Sequence, residues 1–485
     1  MTRHVDLVVI GGGISGLTAA WQARRQGATT VVLDAADRPG GKLQTSPLGG
    51  VDVDESADAF LARVPEAVEL CAELGIDTDL VAPGAGSAYV WLDGALRRLP
   101  ADQLMGVPTD LDALAASGLL SPAGIERARR DLVAPDDRPA ERADESVGSL
   151  VRRRLGDEVL DRLVAPLVGS VYAGVCDRMS VQVTAAQLAM ARDLDPDDPS
   201  LVRAAARLRA TGADTGRPVF LAPRGGMGRL AGALADALGD GVRSGVEATG
   251  LVPEGTGWRI ATSPSAPEAA ATSSPSAGSP SPAAEPLVAD AVVLATPAFA
   301  TAPLLAPIAP EAATFLAGID HASVALLGLA VPREGIDHPM DGTGFLVPRE
   351  AGLLLTACSW ATTKWPHLDV DPSVALLRAS AGHDGDDRGV QLSDDELVSG
   401  LLADLRTTMG LRAAPSEVRV TRWPRSFPQP RPGHLAAVAA AEAALTRAAP
   451  RLAMTGAWAR GVGVPACIRE ARAATSRVLG ATTGP

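Results

Sequence analysis

The 485-residue chain is 46% hydrophobic and 21% charged, with a formal net charge of −13. That length allows two or three domains with cores of their own, and that composition excludes general disorder. The acidic balance argues against nucleic acid as a partner, and Gly, Pro or Arg interrupts every apolar run before it reaches membrane-spanning length.

Val5 to Ile10 is an apolar, β-branched stretch that predicts a buried parallel strand. It runs into Gly11-x-Gly13-x-x-Gly16, and Leu17 to Gln26 predicts the helix that follows. In a dinucleotide site the first glycine permits the tight turn. The second lets the backbone approach a pyrophosphate, and the third lets helix and strand pack closely. The helix N-terminus adds free N–H groups and a partial positive charge. Thr29 to Leu33 predicts a second strand ending in Asp34, placed to bind a ribose hydroxyl. Because the first strand begins by residue 5, no room is left for a signal peptide and a cytoplasmic location is expected.

Next comes Asp37-Arg38-Pro39-Gly40-Gly41-Lys42-Leu43, a second glycine turn with basic neighbours. A simple NAD site has no use for it. Arg38 to Lys42 resembles the FAD-binding motif of the amine oxidase and protoporphyrinogen oxidase superfamily, whose FAD lies extended.

Pro65 to Leu74 predicts a helix stopped at Gly75, and residues 86–100 a hairpin turning at Asp93-Gly94. From about 101 to 215 the pattern is helical and charge-rich, with helices expected over Val147 to Leu155, Glu158 to Leu167 and Val181 to Arg192. Arg152, Arg153 and Arg154 read as a solvated helix face. Residues 217–260 return to α/β character: a strand, the turn Pro223 to Gly228, a helix over Leu230 to Leu238, and two strands ending at Ile260. Ala261 to Pro286 is built from Ala, Ser, Pro, Thr, Gly and Glu and predicts a disordered loop. Ala289 to Ala295 resumes as a strand into Thr296-Pro297. Strands within 322–330, 344–347, 352–357, 375–379 and 417–422, with a helix over Asp394 to Met409, predict a second sheet. A short strand near Leu452, a glycine-rich turn and a helix from Pro465 end the chain. Such a helix aims its positive end at an electron-rich group, such as a reduced flavin pyrimidine. Four cysteines lie far apart, and six histidines show no ligand spacing, so neither disulfide nor metal is expected.

Several runs spanning nearly the whole chain resemble the HemY-type protoporphyrinogen/coproporphyrinogen oxidases of bacteria. They are the opening GGGISGL with RPGGKL, Ala59 to Arg63, Pro166 to Gly174, Pro223 to Met227, Leu294 to Pro297, and Gly461-Val462-Gly463-Val464-Pro465-Ala466-Cys467-Ile468. The resemblance implies a discontinuous Rossmann-like FAD-binding domain of α/β class (residues 1–85, 217–303 and 426–485). To this it adds a helical insert entered through the hairpin (86–216) and a mixed-sheet substrate domain (304–425). It implies FAD held first by Gly11, Gly12, Gly13, Ile14, Ser15 and Gly16, then by Asp34, Ala35, Arg38, Gly40, Gly41 and Lys42. Ala248, Thr296, Trp458, Gly461, Val462, Gly463 and Val464 complete that set. Arg63 is expected at a substrate propionate, and Tyr172, Ala173 and Gly174 at the ring face. Departures from the family pattern at Ser56, Ser170, Gly174-Val175-Cys176-Asp177 and Pro428-Gln429-Pro430 fall on the pocket more than on the flavin site.

The implied activity is oxygen-dependent oxidation of a porphyrinogen to a porphyrin with release of hydrogen peroxide. Coproporphyrinogen III is preferred as substrate and protoporphyrinogen IX is the alternative. Implied partners are the porphyrinogen, molecular oxygen, a ferrochelatase that takes the product, and the inner face of the membrane as a peripheral contact. The rival readings are an amine oxidase, a carotenoid desaturase, and a binding protein that kept the flavin fold without catalysis.

Overall fold

Strand β1 (Arg3–Ile10) is the centre of the first sheet. It leads through helix α1 (Ile14–Arg25) to strand β2 (Thr30–Asp34), which lies parallel beside it with Val9 opposite Val32. The computed structural model describes residues 3–84, 86–135, 144–195, 197–213, 218–265 and 287–480. On the other edge of β1 lies β3 (Leu287–Leu294), also parallel, with Val9 opposite Val293. Val242–Ser244 extends the sheet beyond β2. The far edge of β3 is shared: Gly257–Pro264 pairs antiparallel with its start and Leu452–Met454 parallel with its end. Being covered on both faces, β1 and β3 read as continuous apolar runs rather than alternating ones. Leu7 and Val9 face α1, the helix Gly228–Leu238 and the last helix α2 (Val464–Gly480). Val8 and Ile10 face the opposite layer, built from Ala298–Leu305, Pro310–Ala317 and His434–Ala448.

The second sheet is mainly antiparallel. Its order is β5 (Glu417–Pro428), β4 (His321–Pro332), Val374–Ala381, Leu355–Trp360, Gly344–Leu346, Tyr89–Leu92 and Ala95–Arg98. Helix Asp394–Met409, opened by a Ser393/Glu396 capping box, buries Leu397, Leu401 and Leu405 against it.

Several expectations need correction. The 86–100 hairpin turns at Asp93-Gly94 as predicted, with φ of +50° and +75°, but its strands belong to the second sheet and not to the helical insert. The strand is apolar on both sides because it lies between two cores: Tyr89 faces the second sheet's core, and Val90 and Leu92 face the helical one. The single helix expected over Glu158 to Leu167 is a short turn (Asp157–Val159), a π-helical segment (Leu160–Val164) and a helix (Ala165–Tyr172). Pro166 lacks the N–H an uninterrupted α ladder would use there. The helix over Val181 to Arg192 breaks at Ala185. Arg154 is not on a solvated face: it is 3% exposed, and its Nε donates to Asp131 Oδ1 at 2.6 Å. Helical spacing puts it on the stripe of Val147, Leu150 and Val151. The loop expected from 261 begins later, because the strand Gly257–Pro264 takes its first residues; positions 266–286 lie outside the described residues. The strand expected at 352–357 runs over Leu355–Trp360. The stretch from 304 to 317 covers the first sheet, so the second begins at His321.

The two sheets meet at a charged seam. The carboxylate of Asp58 is bound by Lys364 Nζ at 2.8 Å and Arg378 Nη1 at 2.9 Å, and those cations hold its pKa down to about 2 against the burial that would raise it. Arg378 also donates to the Ser56 carbonyl. Arg419 donates to the Ser46 and Val53 carbonyls, and Trp423 Nε1 to the Glu55 carbonyl. Beside the seam, Asp54 is 7% exposed and accepts from Thr45 Oγ1 at 2.6 Å and Met227 N at 2.7 Å. Burial nevertheless raises its pKa to about 6.

That shift sets a pH dependence. With a folded pKa above the unfolded value, the folded state holds the proton more tightly, and this group's contribution declines as pH rises to 6. Asp54→Asn, which keeps an acceptor for Thr45 and Met227, is expected to be more stable than the parent at pH 8 by up to about 3 kcal/mol and to lose that advantage near pH 4. Thermal melts of the two proteins across that range check it; a constant offset would remove Asp54 as the source.

Candidate active site

The three glycines after β1 have separable roles. Gly11 has φ +107°, and a Cβ on it would lie 2.9 Å from the Ala295 carbonyl. A Cβ on Gly16 would lie 1.8 Å from the Gly11 oxygen, so α1 crosses the turn with no room for a side chain. Gly13 differs: its Cβ would meet only Gly41 Cα, at 3.9 Å. Gly13 therefore borders open space. Above it, α1 starts with no side-chain cap, leaving the Ile14, Ser15 and Gly16 N–H groups without helix partners.

The second glycine turn closes the same space. Gly40 N–H donates to the Gly12 carbonyl at 2.7 Å, and Gly40 and Gly41 have φ of +113° and +58°. Asp34 ends β2 and accepts from Ala36 N at 3.1 Å; burial raises its pKa, and N–H groups of Ala36, Gly12 and Ala35 oppose that rise. Ala36 O accepts from Gly245 N at 2.7 Å, which brings the strand carrying Ala248 up to the Asp34-Ala35 corner. Arg38 pairs with Glu55 at 3.1 Å.

From the far end of the chain, Trp458 is 2% exposed and its Nε1 donates to the Thr296 carbonyl at 3.3 Å. His434 Nε2 lies 2.7 Å from the Trp458 carbonyl. Trp458 is thus a packed side chain that joins two predicted cofactor segments. Arg460, held by Glu442 and Glu470 at 2.6 Å, fixes the turn that contains Gly461, Val462 and Gly463. Helix α2 starts at Val464, and its Thr475 Oγ1 donates to the Ala19 carbonyl in α1. Its first turn sets the Cys467 thiol against Ser15 and Lys42.

Lys42 is the one cation of the cradle without a protein partner: no hydrogen bond or carboxylate reaches it among the described residues. Its Nζ lies 6.0 Å from the Phe427 ring centroid, and burial lowers its pKa. A desolvated ammonium beside an open glycine cradle and an uncapped helix start calls for an anion. The residues present fit a dinucleotide.

Next to Lys42 lies an apolar wall of Ala173, Ala322, Val324, Trp423 and Phe427. Ala173 ends its helix at φ +48°. It is held there by Gln429 Nε2 donating to the Tyr172 carbonyl at 2.8 Å and Asp384 N donating to its own carbonyl at 2.6 Å. Tyr172 is 7% exposed and donates to the Val183 carbonyl at 3.1 Å, and burial pushes its phenol up to about 12. Gly174 has no room for a side chain, since a Cβ would lie 2.3 Å from Met179 Sδ. Arg63 is exposed between the strand Phe60–Leu61 and the helix Glu66–Glu73, with no ion pair among the described residues, and no polar contact joins it to the Tyr172 group. Ala322, Val324 and Phe427 were missed in the sequence because they sit in strands whose alternation signals only a sheet.

Residues 14–479 match the flavin containing amine oxidoreductase family. The coproporphyrinogen III oxidase of Bacillus subtilis (strain 168) is 31% identical over 98% of each chain. That of Propionibacterium freudenreichii subsp. freudenreichii is 34% identical, covering 99% of this chain and 91% of its own. The crystal structure of an assigned protoporphyrinogen oxidase from Exiguobacterium sp. 255-15 superposes with a TM-score of 0.81 at 27% identity, covering 98% of each chain. No helix among the described residues is long and apolar enough to cross a membrane. The chain belongs to the flavin containing amine oxidoreductase family, and its cofactor is FAD.

Proposed function

We propose that the protein oxidises coproporphyrinogen III to coproporphyrin III, with molecular oxygen as the final acceptor and hydrogen peroxide as by-product. The observation that carries this reading is the apolar wall of Ala173, Ala322, Val324, Trp423 and Phe427 set directly against the flavin cradle at Lys42. A broad apolar macrocycle suits such a wall. Full-length similarity to relatives named coproporphyrinogen III oxidase supports the same choice.

Bound FAD supplies the two-electron acceptor for hydride from the macrocycle's methylene bridges, which is the hard step. The protein's part is to bind, orient and dry. Gly13 leaves room where the pyrophosphate would lie, Lys42 and the α1 N-terminus would neutralise it, and Asp34 would take the ribose. The first turn of α2 and the Gly461–Gly463 turn would hold the isoalloxazine. Ala173, with only a methyl group, and Gly174, which has no room for a side chain, let the macrocycle lie close. Tyr172 keeps its proton at neutral pH and serves as packing, not as an acid or base. Arg63, exposed and free of carboxylate partners among the described residues, takes a propionate at the rim. Hand-off of the product to a ferrochelatase and a peripheral contact with the inner face of the membrane extend this reading.

Anaerobic mixing of the yellow protein with coproporphyrinogen III is expected to bleach the flavin faster than protoporphyrinogen IX does, with porphyrin fluorescence appearing on admission of air. Bleaching by neither would discard the reading. Gly13→Val is expected to fold, since its side chain enters open space, yet to lose nearly all flavin absorbance; retention of full absorbance would misplace the pyrophosphate. Arg63→Ala is expected to raise KM for the porphyrinogen about tenfold with flavin content unchanged, and unaltered kinetics would remove Arg63 from the site.

A further inference from the structure

Between Ala322/Phe427 and Val324/Trp423 the β4–β5 ladder slips: the single residue Ser323 faces Pro424, Arg425 and Ser426. Such bulges re-aim side chains. Here the re-aimed residue is Arg425, one of the few non-glycine residues with positive φ, at +48°. A left-handed backbone at an arginine is unfavourable, and it persists only where neighbours enforce it. Ser323 Oγ does so by accepting the Arg425 N–H at 3.1 Å.

The guanidinium this conformation presents is held but not neutralised. It lies 3.8 Å from the Phe299 ring centroid, a close cation–π stack, and makes no ion pair or side-chain hydrogen bond among the described residues. Its neighbours differ. Arg422 pairs with Asp394 and donates to the Leu392 carbonyl at 2.7 Å, and Arg431 pairs with Asp320. In a chain with 57 acidic residues against 44 basic ones, an arginine fixed in place yet left without an acid is set apart from these.

What surrounds it is the proposed pocket. Trp423 and Phe427, two residues away on either side, belong to the apolar wall with Ala173. His321 packs edge-on against the same Phe299 ring, with centroids 5.1 Å apart. The charges of Arg425 and Lys42, added to burial, keep His321 neutral, with a pKa lowered to about 4. Lys42 thus lies over Phe427, and Arg425 and His321 lie against Phe299, so that the same wall carries a positive charge at the cradle and another at the surface.

The geometry points to Arg425 as a second anchor for a peripheral carboxylate of the macrocycle, placed on the β4–β5 wall and separate from Arg63. This rests on the porphyrinogen reading of the pocket. Phe299 pre-orients the guanidinium, and a carboxylate can then take two of its N–H groups at once without the side chain first being ordered. Lys42, deeper and spent on the cofactor, does not compete for it.

The test uses the holoenzyme and its Arg425→Gln and Arg425→Lys variants. Each is titrated with coproporphyrin III and with its tetramethyl ester, followed by flavin fluorescence, and assayed with coproporphyrinogen III. Arg425→Gln is expected to weaken binding of the free acid about tenfold, to leave the ester unchanged, and to raise KM by a similar factor with a much smaller change in kcat. Arg425→Lys is expected to recover part of the loss. Equal weakening of acid and ester would make Arg425 a packing residue, and no weakening would leave it a solvated one. Loss of flavin from Arg425→Gln would move it to the cofactor. Each of these overturns the assignment. If the parent oxidises no porphyrinogen, the function reading fails by itself, while the acid-against-ester comparison still decides whether Arg425 grips a carboxylate.

Discussion

The contact on which the rest depends is the crossing of α1 over the end of β1. A single added methyl group at Gly16 would overlap the Gly11 oxygen, so helix and turn touch backbone to backbone. That closeness brings the α1 N-terminus down to the carboxyl end of the sheet, where a pyrophosphate can reach its free N–H groups. Other parts are placed relative to it. The Gly40 turn hangs on the Gly12 carbonyl, β3 runs beside β1 and leaves at Ala295 against Gly11, and α2 lies along α1 through Thr475. The cradle is assembled from segments hundreds of residues apart because each must reach this one crossing.

Four buried or half-buried cations show how the protein separates architecture from binding. Lys364 and Arg378 share the carboxylate of Asp58, and their desolvation is offset by that charge. Arg419 is satisfied by the carbonyls of Ser46 and Val53 and so ties the β4–β5 sheet to the hairpin at residues 45–54. Lys42 has neither kind of partner among the described residues. Paired cations close the seam between the two sheets, while the unpaired one faces the space where an anionic cofactor belongs. Both lysines of the chain are used in this way, one on each side of the distinction.

The cofactor half of the molecule was legible because its constraints are local. Four glycines in six residues, an acid at the end of the next strand and a second glycine turn are short-range patterns, and the contacts of Gly11 and Gly16 follow the turn and packing roles read from their spacing. The helix His434–Ala448 was not foreseen, and the π-helical segment before Tyr172 was read as plain helix. Pro166 tells of a ladder defect but not of how the chain absorbs it. The Arg152–Arg154 run misled because charge suggested solvent, whereas helical phase had already placed Arg154 beside Leu150 and Val151. The substrate side was least legible. Its wall joins Ala173 to strands some 150 and 250 residues later, and the positions that matter are fixed by a ladder slip at Ser323 that no local pattern encodes.

That slip and the Ala173 turn share a physical feature. Both are non-glycine residues held at positive φ, and both border the same apolar wall. Strain of this kind survives only where tertiary hydrogen bonds outweigh it. Here Gln429, on the segment after β5, holds the Tyr172 carbonyl, and Ser323, on β4, holds the Arg425 amide. The helical unit and the second sheet therefore constrain one another across the pocket without either touching the Gly11–Gly16 turn through these bonds. The proposed cofactor site is shaped by close packing within one sheet and its helices, and the proposed substrate site by strain balanced between two other units.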